Sequence, residues 1–122
     1  MLLAIKRTLS TLVLISILCS ITVKANQYNY GYCSTSYGEP TAPEYVISSV
    51  FRIKNNVYVY HIEVETSFRS YIEERFDTLS ASPSCSIRYE SYHEAKNKRD
   101  DKINKLSNNS KTIVNTVDWS YE

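Results

Sequence analysis

Between Tyr45 and Glu65 the chain alternates apolar and polar residues, broken once by Asn55-Asn56. Tyr45, Ile47, Ser49, Phe51 and Ile53 fall on one side of an extended run, and Tyr58, Tyr60, Ile62 and Val64 on one side of the next. A period of two is the signature of a strand with one buried face. Asn accepts the positive φ of tight two-residue turns, so the segment predicts a β-hairpin over 45–65. Its register would set Ile53 against Tyr58, Phe51 against Tyr60, and Ile47 against Val64. A slip of one residue would put each apolar set on the wrong face. His61, Glu63 and Glu65 then line the wet face.

The flanking segments extend this frame. Gln27 to Tyr37 alternates, with Tyr28, Tyr30 and Tyr32 opposite Asn29, Gly31, Cys33 and Thr35. Residues 38–44, with two prolines, form a loop. Phe68, Tyr71, Ile72, Arg75 and Phe76 recur every three or four residues, which predicts a helix capped by Thr66 or Ser67. Cys85 to Tyr89 is a short strand. Ser91 followed by Glu94 is a capping box, opening a helix to about Ser107 with the stripe Tyr92, Ala95, Arg99, Ile103 and Leu106. Its flanks suit i,i+4 pairing of Glu94 with Lys98 and Asp101 with Lys105. Asn108-Asn109 can end it in a left-handed cap. A last strand covers Lys111 to Trp119. The expected fold is α+β: a single mixed, mainly antiparallel sheet in the order β-β-β-α-β-α-β, with both helices packed on one face. The final βαβ unit should join parallel strands.

The beginning of the chain reads as an export signal. Lys6 and Arg7 precede an apolar run from Thr8 to Val23, and Val23-Lys24-Ala25 supplies small residues for cleavage. At about 1.5 Å per residue this run is shorter than a bilayer core of roughly 30 Å. Residues 1–25 are expected to be a signal peptide, and 26–122 a single secreted or periplasmic domain. Membrane contact is expected only through an uncleaved leader. Removing three basic residues with the leader leaves about 11 basic against 13 acidic residues, a net charge of about −2. Nucleic acid is therefore not an expected partner.

Two cysteines remain beyond the leader, Cys33 and Cys85. In an exported chain an even count predicts a disulfide, and only one intramolecular pairing exists. Closing that loop removes chain entropy worth about 4 kcal/mol on the polymer model. With both thiols bonded, no cysteine remains as a nucleophile.

Few residues offer chemistry. His93-Glu94 resembles the opening of a zinc-protease helix, but position 97, where the second histidine belongs, is Asn. No metal site and no cofactor is expected. His61 beside Glu63 and Glu65 could serve a small hydrolase as general base, and Glu63 with Glu65 is a carboxylate pair. No G-x-S-x-G turn accompanies them. Asn108-Asn109-Ser110 fits a glycosylation sequon. The row Tyr28, Tyr30 and Tyr32 offers contact area at low entropic cost if its sheet face is open. The leading expectation is a non-catalytic binding protein, an inhibitor or accessory factor. Its partner is an extracytoplasmic protein or glycan, met through Tyr28, Tyr30, Tyr32, His61 and Glu63. A small hydrolase and a self-associating envelope component are the rivals.

Overall fold

A computed structural model describes residues 27–121. Five strands and two helices follow in the order β1 (Tyr28–Tyr37), β2 (Glu44–Ser48), β3 (Phe51–Lys54), α1 (His61–Arg75), β4 (Ser84–Tyr89), α2 (Tyr92–Ser107) and β5 (Ile113–Val117). The fold is α+β with one mixed sheet, in the expected element order.

β1 is the hub. Tyr30 pairs with Arg52 of β3 and with Tyr89 of β4, while Ser34 pairs with Ile47 of β2 and with Ser84 of β4. A strand has two edges, so β2 and β3 share one edge and β4 takes the other. β2 and β3 are the halves of one strand broken at Ser49-Val50. β5 lies parallel to β2, from Glu44 opposite Ile113 to Ser48 opposite Val117. β1 is antiparallel to both β2 and β4, so β4 and β5 run parallel, as the βαβ reading requires.

The break is held by serines. The Cys33 amide donates to Ser48 Oγ at 2.9 Å, and Ser48 Oγ donates to the Ser49 carbonyl at 2.8 Å. The Ser49 amide donates to the Val117 carbonyl at 2.8 Å, and its hydroxyl to the Trp119 carbonyl at 3.1 Å. From α2, Arg99 Nε donates to the Ser48 carbonyl at 2.6 Å. These bonds give the backbone groups of Ser48 and Ser49 partners at the break, as buried backbone requires.

The expected 45–65 hairpin does not form. Residues 57–60 are irregular, and residues 61–65 belong to α1. Asn55 and Asn56 make a turn, but among the described residues only Gly38 has positive φ, so it is not the tight hairpin type. Val64 explains the difference, because it belongs to two patterns. It continues the alternation of 58–64, and it also begins the series Val64, Phe68, Ile72, four residues apart and fully buried. The helix buries all three. Val57, Tyr58, Tyr60 and Ile62 are left 60–71% exposed. α1 thus starts five residues before the expected Thr66 cap, and Tyr60 at its N-cap contributes no side-chain bond.

The helices lie on opposite faces of the sheet, not on one. Val64, Phe68 and Ile72 of α1 pack with Cys33, Val46, Phe51, Cys85, Ile87 and Trp119. α2 meets the alternate residues: Lys102 Nζ donates to Ser34 Oγ at 2.7 Å, and Tyr92 stands edge-on to Tyr30. Topology explains it. The β3–α1–β4 crossover passes over β1 in one direction, and β4–α2–β5 returns in the other. Two crossovers of the same right hand travelling in opposite directions must use opposite faces.

Elsewhere the elements match their sequence signals. Ser91 Oγ accepts from the Glu94 amide at 3.1 Å, and Ala95 at the centre of the α2 stripe is fully buried. α2 ends at Asn108 in right-handed geometry, not in a left-handed cap. Its ion pairs are Lys96 with Asp100 at 2.7 Å and Arg99 with Asp100 at 3.4 Å, in place of the two expected pairs. The Cys33–Cys85 disulfide joins directly opposed residues of β1 and β4. The signal-peptide reading of residues 1–25 lies outside the described residues.

Candidate functional site

The candidate site lies at the outer end of β3. Among the described residues β3 pairs only with β1, because β5 stops alongside β2. Beside that unpaired edge is a cleft of about 620 Å³ bordered by Tyr28, Arg52, Ile53, Val57 and Tyr121. Lys54 borders this cleft and two smaller ones, of about 360 and 120 Å³. The irregular 55–59 segment runs between them.

Each part has a local cause. Phe51, Arg52, Ile53 and Lys54 alternate along a strand, so Phe51 is buried while Arg52 and Lys54 are exposed on the other face. The Arg52 guanidinium lies 4.4 Å from the Tyr28 ring centre. Arg88, exposed on β4, sits 4.3 Å from the Tyr58 ring centre and donates to the Val59 carbonyl at 2.7 Å, pinning the irregular segment. Such cation–ring contacts hold the guanidinium plane while leaving its outward N–H groups available. Trp119 anchors the chain after β5 by packing on Phe51 and Phe68, which brings Tyr121 to the cleft.

The charge here is one-sided. Arg52, Lys54 and Arg88 border the three clefts, and no Asp or Glu does. None of the three cations is in an ion pair among the described residues. This contrasts with residues 26–122 as a whole, which carry 11 basic and 13 acidic residues.

The residues singled out from sequence are dispersed. Tyr28 borders the cleft. Tyr30 is half-buried under Tyr92 of α2, and Tyr32 is 7% exposed and stacked on Tyr89. α2 covers the sheet face that was to be open. Burial is the first cause, and Tyr89 the second, of a Tyr32 hydroxyl pushed up to about 12. His61 and Glu63 are exposed in the first turn of α1. On a helix, two residues apart is roughly 200° around the axis, so His61 and Glu63 point away from each other. The strand face that grouped His61, Glu63 and Glu65 does not exist. His93 is exposed on α2, and no cluster of metal-ligating side chains occurs among the described residues.

Arg52, Lys54, Arg88 and Tyr121 were not singled out from sequence. The signal available was the alternation in 51–54, which places two cations on one strand face. Compared with protein-family models, curated proteins and solved structures, the chain finds no match.

Proposed function

We propose that this chain is an exported binding protein that takes an extended acidic peptide segment of an extracytoplasmic partner into the cleft at the β3 edge. The observation that carries this reading is the lining of that cleft: the cations Arg52 and Lys54, aromatic and aliphatic walls, and no carboxylate, with Arg88 on the smaller cleft beside it. Arg52 and Lys54 would hold carboxylates, and Arg52 offers them a planar fork. The unpaired β3 edge favours a peptide over a glycan, since an extended peptide can add its backbone to the sheet. Export is supported by the leader-like residues 1–25 and by a disulfide, a bond that persists in oxidising compartments. Among the described residues no helix is long and apolar enough to cross a membrane.

The test is an array of extended peptides with Asp or Glu spaced by Leu or Tyr, probed with the oxidised protein alongside oligogalacturonate as an acidic glycan. Acidic peptides are retained, binding weakens with salt, and Arg52→Ala with Lys54→Ala lowers affinity about tenfold or more, on the scale of one or two charge-assisted hydrogen bonds. Equal retention by the double variant sinks the site. Preference for the glycan sinks the peptide.

A further inference from the structure

At the opposite end of β1 a further cleft, of about 160 Å³, lies between the sheet, the loop before β4 and the second half of α2. It is lined by hydroxyl groups: Ser34, Ser36 and Ser84 from the sheet, Ser82 from the loop, and the Tyr45 phenol. Lys102 reaches into it from α2, and its ammonium donates to Ser34 Oγ at 2.7 Å. No carboxylate lines the cleft, and Lys102 forms no ion pair among the described residues. A half-buried ammonium usually has a counter-charge, because desolvation makes an uncompensated charge costly. Arg99, one turn earlier, has Asp100 at 3.4 Å. Lys102 has only a neutral hydroxyl.

The hydroxyls are arranged as donors. Ser34 and Ser84 are directly opposed across β1 and β4, so their side chains rise side by side on the α2 face. Ser36 Oγ already accepts from Ser80 Oγ at 2.8 Å, which leaves its own proton to give. Several O–H donors around one ammonium, with no acceptor of negative charge, complement a tetrahedral oxyanion.

We infer that this cleft is a binding site for a phosphate or sulfate group, held by Lys102 with the hydroxyls of Ser34, Ser36 and Ser84, and that its occupancy fastens α2 to the sheet. The second part follows from how α2 is docked. Ala95 is its only fully buried residue, and Arg99 and Lys102 supply its polar bonds to the sheet. An anion between Lys102 and the sheet adds a joint where apolar contact is thin. Burial holds the Lys102 ammonium below the usual lysine value, consistent with a cation lacking its partner.

The test is thermal unfolding of the oxidised protein at fixed ionic strength, exchanging chloride for millimolar phosphate or sulfate. The expected result is a saturable rise of several degrees, lost in Lys102→Met and reduced in Ser84→Ala, with Ser34, Ser84 and Lys102 amide resonances shifting along the same isotherm. General salting-out gives a linear rise that Lys102→Met does not alter, and that result overturns the site. O-Phosphoserine separates two sources of the group. Saturation at similar concentrations assigns a phosphoryl group carried on a larger molecule, whereas its exclusion while inorganic phosphate binds assigns the free ion.

Discussion

Tyr32 and Tyr37 report on the two sides of β1. The Tyr37 hydroxyl is pushed up to about 12, first by its hydrogen bond to Glu44, and it also accepts from Asn115 Nδ2 at 3.2 Å. Tyr32 reaches about 12 through burial. Both keep their protons longer in the folded state than in the unfolded chain, where tyrosine titrates at 10.0. Their stabilising contribution is therefore complete below pH 10 and is lost as pH rises through 12. Absorbance titration should show that Tyr32→Phe and Tyr37→Phe each remove one phenol ionising near pH 12. Lys102 has the opposite sign. Its folded value lies below the usual 10.5, so stability from this group grows as pH rises from the lowered value towards 10.5. Gly31 carries a different constraint. A Cβ there would sit 2.4 Å from the Ser86 carbonyl oxygen and 2.7 Å from Ile87 Cα, where the β1–β4 register shifts. Both are backbone atoms, so Gly31→Ala has to push β4 away. Chemical denaturation should show a loss on the order of 1–3 kcal/mol, the scale of an overpacked interior.

Helix α1 decides between two readings of one segment. If 57–65 were a strand, Tyr60 and Ile62 would be buried and their replacement costly. In the fold both are exposed, so Ile62→Lys should change stability by less than about 0.5 kcal/mol, whereas Phe68→Ala should cost about 3–5 kcal/mol. Equilibrium unfolding of the two variants separates the readings. The elements legible in sequence were those where one pattern acts alone: the alternation of β1, the cysteine-bearing β4, and α2 with its Ser91 cap. The start of α1 was illegible because Val64 satisfies both periods, and local alternation carries no information about which edge is already taken. β1 occupies the inner edge of β2 and β3, and β5 the outer edge of β2. No place beside β2 remains for the 57–65 strand. The β3 cleft was hidden for a similar reason. Arg52 and Lys54 are visible as a wet strand face, but Arg88 and Tyr121 join them only through the tertiary fold. The tyrosine row looked like a surface until the opposed crossovers put α2 over it.

For the whole molecule the disulfide is the principal covalent constraint on a sheet drawn from distant segments. Cys33 and Cys85 are 52 residues apart, and both are buried. Replacing both with Ala should lower stability by about 4 kcal/mol from loop entropy alone, measured as a shift in denaturant midpoint against the oxidised protein. For a domain of this size that is a large share of a total of about 5–15 kcal/mol. The hub position of β1 has a further consequence in time. It is the earliest of the described strands to be synthesised, yet it bonds to β2, β3 and β4, the last ending at Tyr89. During vectorial emergence the strand that organises the sheet must wait, unpaired on one side, until most of the polypeptide has followed it. Native structure therefore arrives late and nearly all at once.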